Sequence, residues 1–551
     1  MKYLKVSPYG LGMSCVVLIS AIIRLVFISQ NFPSTNSDEG TMGLMALHIA
    51  YRGAHPIFFY GQNYMGALEA YLGALIFLVV GPSLFALRLG MILLFALFQC
   101  VLYRLLSLLY NRRYALIASA LLCLGSPELF SRQLRAVGGA LETLLFGSLT
   151  LLLATSLILS YRSGQETDRK GRMLRYACLG LAMGLGIWSH TLVLPFVGMA
   201  LLFLFIYCWR EWRWPVVLCW LCGLLLGAMP LIIANIQDPA HNAIHTFLKS
   251  YQSGGSGAVL PYTVWDQLRG TVLVSVPMAT GYSPVCSLNS TPGVWRTEIS
   301  ACFIPQGLWS VVFLVLLATA LWSALRSFPL RYLWFWRKDA AEAPDEQRRE
   351  SARLMLLGSG LLTICAFAAS SAPALVPLTS ARYLVGLEAV LPAVLWPLWQ
   401  TLLSSGRLLR LNITSVLSVG ILGIIAATFV LGTVISFQQM AENEQSYQQQ
   451  QHLISDLLAM HATRIYTDYW TCDNIAFLSD ERIICAVLGN NLRLGQNRYP
   501  PYIAEVQQAR PVTYVFLVGS AQAQELDRQM RQGTQRYQKT VVDGYVVYRM
   551  L

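Results

Sequence analysis

Apolar runs of roughly 17 to 25 residues recur along this chain, each long enough to cross about 30 Å of hydrocarbon as a helix. The clearest are 84–109, 140–160, 214–236, 307–325 and 413–435. Inside a bilayer the backbone must satisfy its own hydrogen bonds, so such runs form helices. The expected class is therefore an α-helical polytopic membrane protein. Only 12% of the 551 residues are charged, 55% are hydrophobic, and the mean hydropathy is +0.52. Soluble domains carry about twice that charged share, roughly 25%.

Eleven spans are expected, at 9–29, 84–108, 114–130, 140–160, 176–190, 192–209, 214–236, 307–325, 354–371, 384–404 and 413–436. The net charge of +12 is concentrated in alternate loops: Lys2 and Lys5; Arg104, Arg112 and Arg113; 162–175; Arg210 and Arg213; 326–353; Arg407 and Arg410. By the positive-inside rule these loops are cytoplasmic. The charge is thus topogenic, and no nucleic-acid partner is expected. The segment 65–81 is apolar but is not counted as a span. If it crossed, every later basic cluster would change sides. It is expected as a juxtamembrane or re-entrant helix, with a tight hairpin of two spans as the rival reading. The chain is then a cell-membrane protein with its N-terminus inside and its C-terminus outside.

This layout gives a membrane domain, 1–436, with outer loops 31–82 and 237–306, and an extracytoplasmic tail, 437–551. The tail has ordinary soluble composition. A Gln-rich stretch, 438–451, reads as an exit helix. Short β-rich runs at 464–467, 483–488, 512–518 and 541–548 alternate with helix-like stretches, which points to a small α/β domain. Of twelve cysteines, eight lie in or beside the spans. The other four form two local pairs on the outer side, Cys286 with Cys302 and Cys472 with Cys485. Both pairs are expected as disulfides, which form outside the cytoplasm.

The residues that carry chemistry begin with Asn36-Ser37-Asp38-Glu39-Gly40, just past the first span. Two adjacent carboxylates near a membrane surface are costly unless solvated, paired or functional. Their plain reading is a cap for a helix over 41–50. Next comes a tract of aromatics and amides, 53–64, with Tyr60, Gln62, Asn63 and Tyr64. Such side chains suit sugar rings, which offer apolar faces and hydroxyls; the other reading is an interfacial aromatic belt.

This order of features resembles the membrane GT-C glycosyltransferases. The carrying residues are Asp38-Glu39, the Pro/Gly/aromatic tract, Ala86-Leu87-Arg88, Ser126-Pro127 with Ser131-Arg132, and Ala381-Arg382-Tyr383-Leu384. The likeness is nearest to the protein O-mannosyltransferase and aminoarabinose-transferase branch, including the RgtA/B/C/D-like group, and covers about 10–400. It implies inverting transfer of a hexose-type sugar from a polyprenyl-phosphate carrier to a protein, lipid or polysaccharide acceptor on the outer face.

On that resemblance Asp38 is the general base. Glu39 orients the loop, binds the acceptor or helps hold a divalent cation. Arg88, Arg132, Arg135 and Arg382 serve the phosphate, Arg88 and Arg382 first, because arginine presents a planar, permanently charged fork. Tyr383 belongs to the same motif, and His190 faces the carrier or packs in the core. Where aminoarabinose-transferase relatives carry a Lys-Pro pair, this chain reads Gly61-Gln62-Asn63-Tyr64. His241 and His245 lack a third metal ligand at suitable spacing. The tail run 466–470 either helps recognise the acceptor or is a strand end. The rival function is a transporter or flippase for a lipid-linked saccharide, favoured by glycines read as helix breaks at 180, 184 and 186. A third is a non-catalytic partner that binds through its tail.

Overall fold

The computed structural model describes residues 7–161, 169–239, 242, 246, 261–283, 303–328, 344–404, 413–532 and 537–550. His241 and His245 lie outside the described residues. Seven described helices are long and apolar enough to cross a membrane, or nine if each of two bent pairs is one span. The chain divides into two compact units. One comprises Met1–Ile23, Leu93–Gln133 and Gly139–Ser436; the other comprises Arg24–Ile92, Leu134–Gly138 and Phe437–Leu551.

The first unit is helical, and two of its expected spans differ from expectation for local reasons. The segment 114–130 is not one helix: Arg112–Leu121 ends, and Pro127–Leu134 begins separately. Pro127 has no N–H to donate and disfavours the helical region for Ser126. The freed amide of Gly125 donates to Thr433 Oγ1 at 3.1 Å. The segment 214–236 is two helices, Trp214–Gly227 and Met229–Gln237, bent by 63°.

The glycines at 180, 184 and 186 do not break a helix, contrary to the transporter-like reading. Arg169–Ser189 runs through all three. A Cβ at Gly180 would lie 2.0 Å from the Trp220 carbonyl oxygen, and one at Gly223 would lie 2.0 Å from that of Ala177. Gly180 and Gly184 instead let two helices meet backbone to backbone, the small-residue packing favoured in membranes, while Gly186 faces the Val193 and Phe146 side chains.

The second unit holds the tail and the segment that runs on from the end of the first helix. Leu68–Val80 has 13 residues. At 1.5 Å per residue it is about 20 Å long, short of the roughly 30 Å hydrocarbon core. The Gln-rich stretch continues as the helix Met440–Ala459. Beyond it lie β1 (Arg464–Thr467), β2 (Ile484–Val487), β3 (Thr513–Leu517), β4 (Tyr537–Val542) and β5 (Tyr545–Met550), in sheet order β2-β1-β3-β5-β4. β1 pairs in parallel with β2 and β3, while β5 is antiparallel to β3 and β4. The run expected as one strand at 541–548 is instead a hairpin. Asp543 and Gly544, at φ 45° and 81°, make its turn, a pair suited to the two-residue primed turns.

The helix Ser37–Arg52 crosses the tail helix Tyr469–Leu478 closely because two glycines face it. A Cβ at Gly40 would come within 2.6 Å of the backbone at Asp473 and Asn474, and one at Gly43 within 2.5 Å of the Phe477 ring. Of the two expected bridges, the one joining Cys472 and Cys485 is present and ties Tyr469–Leu478 to β2. The other expected pair, Cys286 and Cys302, lies outside the described residues, so no bridge between Cys286 and Cys302 is assigned. Closing a loop the size of the observed one removes about 3 kcal/mol of unfolded-chain entropy. Cys485→Ser is therefore expected to lower tail stability by about that amount. Thermal unfolding with and without reductant measures it, and a wild type insensitive to reductant speaks against the bridge.

Candidate active site

Asn36 caps the helix Ser37–Arg52, its side chain accepting from the Glu39 amide at 3.0 Å. This displaces the plain reading of Asp38 and Glu39 as the cap. Both carboxylates lie in the first turn, where the helix dipole favours them. Neighbouring residues on a helix point in different directions, and these two have opposite fates.

Glu39 points inward and is fully buried. Arg88 meets it bidentately, Nε to Oε1 at 2.9 Å and Nη2 to Oε2 at 2.6 Å. The Ala136 amide adds a third bond, to Oε1 at 3.1 Å. Both oxygens are thus engaged by protein donors. Arg88 is equally buried, and Nη1 alone has no hydrogen-bond partner among the described residues. A guanidinium largely committed to Glu39 is not an open phosphate clamp, which revises the rank given to Arg88.

Asp38 points outward, its side chain 15% exposed. Its Oδ1 accepts from the Tyr469 hydroxyl at 2.6 Å and from Arg498 Nη2 at 2.9 Å. Among the described residues Oδ2 accepts no hydrogen bond. Arg498 also donates Nε to the Tyr469 oxygen at 2.8 Å and lies over the rings of Phe59 and Tyr469, at 5.0 and 5.5 Å. With the Gln62 amide turned so that its oxygen faces the guanidinium, that oxygen accepts from Nη1 and Nη2 at 3.0 and 3.2 Å. Burial, and then the Asp38 carboxylate, push the Tyr469 phenol up, so it stays a donor. Nearby Asp473 is buried and accepts from Thr41 Oγ1 at 2.6 Å. Burial outweighs that bond and the Arg498 charge, and its carboxyl is pushed up to about 6.

The aromatic tract is also turned toward the tail. The Tyr60 hydroxyl meets His48 Nδ1 at 2.9 Å, and His48 Nε2 meets Glu481 Oε1 at 2.9 Å. Arg52 and Tyr502 also donate to Glu481. The Tyr499 ring packs on His48 and Tyr60 at 4.8 and 5.0 Å. Tyr60 is thus part of a packed polar cluster. Asn63 and Tyr64 are half-buried beside it in sequence. Arg135 donates Nε and Nη2 to the Ser34 carbonyl, at 3.1 and 2.5 Å, and so braces the loop before Asp38.

In the first unit, Arg132 donates Nη1 to the Met278 carbonyl at 3.5 Å. Arg382 is exposed, with its guanidinium 5.3 Å from the Tyr383 ring centroid. His190 is buried and caps the next turn, Nδ1 accepting from the Leu192 amide at 3.2 Å. Its ring lies where a Cβ on Gly139 would stand. Of these three expected residues, Arg382 is the most open.

Sequence reasoning did not find Arg498 or Asp473. Arg498 stands in Asn497-Arg498-Tyr499-Pro500, a second aromatic and proline segment like 53–64. Among the described residues, the only group of three or more His, Cys, Asp or Glu side chains close enough to share a metal is Cys472, Asp473 and Cys485. Its two thiols are joined in the disulfide.

No protein-family model and no curated protein matches the chain. Solved structures do match its fold. ArnT from Cupriavidus metallidurans, bound to undecaprenyl phosphate, aligns over 97% of both chains at 13% identity with a TM-score of 0.58. The Archaeoglobus fulgidus oligosaccharyltransferase in its apo form covers 94% of this chain and 70% of its own, at 13% identity and a TM-score of 0.51. The same enzyme tethered to an acceptor peptide with an NVT sequon covers 97% and 74%, at 14% identity and 0.51. The GT-C-like fold expected from the sequence is the fold of this chain.

Glu39→Gln leaves the Arg88 charge buried without its counter-charge and should cost about 3–5 kcal/mol, whereas Glu39→Leu with Arg88→Met should recover much of that loss. Thermal unfolding of the three variants measures both. For Asp473, the native carboxyl near 6 lies above the unfolded value of about 3.9. Its contribution is complete below pH 4 and is lost as pH rises through 6, a change of about 3 kcal/mol. Asp473→Asn should accordingly flatten the pH dependence of stability between 4 and 6, and stabilise the protein more at pH 7 than at pH 4. Unchanged curves would contradict the assignment.

Proposed function

We propose that this chain is an integral membrane glycosyltransferase that moves a hexose-type sugar from a polyprenyl-phosphate carrier to an acceptor on the non-cytoplasmic face, with inversion. The observation that carries the reading is the Asp38 carboxylate, with Oδ1 held by Tyr469 and Arg498 and Oδ2 accepting no hydrogen bond among the described residues. The fold adds support, because the ArnT structure that shares it holds undecaprenyl phosphate and the oligosaccharyltransferase structure holds an acceptor peptide.

In the proposed reaction the acceptor oxygen attacks the anomeric carbon as Asp38 Oδ2 takes its proton. The bond from that carbon to the phosphate oxygen breaks, and the electron pair leaves with the polyprenyl phosphate. General-base assistance of this kind contributes about a hundred- to ten-thousand-fold. Glu39, with both oxygens occupied, is assigned to fixing the loop and the Arg88 side chain. On the family resemblance, charge on the departing phosphate falls to arginine side chains. The reading keeps the N-terminus in the cytoplasm and the tail outside.

The test is Asp38→Asn in full-length protein in lipid nanodiscs, given a panel of undecaprenyl-phosphate hexoses and an envelope extract. Transfer should fall about a hundredfold or more, with the variant still folded. Transfer at the wild-type rate removes Asp38 as the base.

A further inference from the structure

The tail contributes both groups that hold Asp38, and Arg498 sits where several elements converge. Its Nη2 binds Asp38 Oδ1 and its Nε binds the Tyr469 oxygen. The Phe59 face supports its guanidinium, and the Gln62 oxygen receives both terminal nitrogens. The side chain is only 5% exposed. A guanidinium is a rigid fork, so fixing its plane fixes the positions of its N–H groups. These contacts set that plane from the 53–64 tract and the tail, and the carboxylate is oriented in turn.

From this geometry we infer that Arg498 is a positioning residue for Asp38: with Tyr469 it pins Oδ1, so that Oδ2 alone faces the reacting hydroxyl. A carboxylate held at one oxygen by two donors from different directions cannot turn freely about its terminal bond. A reacting atom displaced by about 1 Å can cost a hundredfold in rate. The tail is therefore a component of the catalytic apparatus, in addition to any part in acceptor recognition. The role given to Oδ2 rests on the glycosyl-transfer reading; the pinning of Oδ1 does not.

The test uses full-length protein in nanodiscs and whichever undecaprenyl-phosphate hexose the wild type turns over. Arg498→Met should lower kcat about a hundredfold with donor KM little changed, and Arg498→Lys, which restores charge without the fork, should recover part of the loss. Unchanged kcat in Arg498→Met, or a loss that Lys does not relieve at all, overturns the assignment. A second measurement needs no substrate: thermal unfolding of Asp38→Ala, Arg498→Met and the double variant. Their losses in Tm should be strongly non-additive, and simple additivity overturns the pinning. If the wild type turns over no lipid-linked hexose, the glycosyl-transfer reading fails, while the unfolding cycle still decides whether Arg498 holds Asp38.

Discussion

A buried glutamate needs a counter-charge, and in this chain Arg88 supplies it. The two N–H donors of Arg88 and the Ala136 amide engage both oxygens of Glu39 and fix the rotation of the helix Ser37–Arg52 about its axis. Once Glu39 is directed inward, its neighbour Asp38 must project elsewhere. Replacing such a pair with apolar groups is often neutral for stability, so its worth lies in specifying one arrangement. Here that arrangement directs one carboxylate inward and leaves the other on the face where the tail meets it. The close crossing at Gly40 and Gly43 depends on the same helix orientation.

Much of the fold was legible because it rests on local or bulk properties. Long apolar runs mark spans irrespective of their partners, and alternating strand and helix patterns mark the tail. The departures have equally local causes. Pro127 divides what looked like one span, and the Asp543-Gly544 turn divides what looked like one strand. The glycines at 180 and 184 were misread because periodicity cannot separate a glycine that breaks a helix from one that admits a neighbour. Only the backbone of 220–224, close against them, settles that.

The site was less legible, since its partners are remote in sequence. Asp38 stood out as a charge beside a span, but nothing near it announces Tyr469 or Arg498. The tract 53–64 was recognised as unusual for its aromatics and amides. Its Tyr60 and Gln62 turn out to engage His48 and Arg498, so the composition that suits a sugar also suits a polar internal contact. Arg88 shows the same ambiguity, because a phosphate and a buried carboxylate ask for the same planar fork.

The separations along the chain carry a further consequence. Tyr469 lies 431 residues beyond Asp38, and Arg498 lies 460 beyond it. Chains are made from the N-terminus, and their domains generally fold in that order. The helix that bears Asp38 therefore exists long before the two groups that grip its carboxylate. Until Tyr469 and Arg498 are delivered and folded, that carboxylate lacks these two partners. On the glycosyl-transfer reading, the proposed base thus takes its held form only after the tail has folded against it.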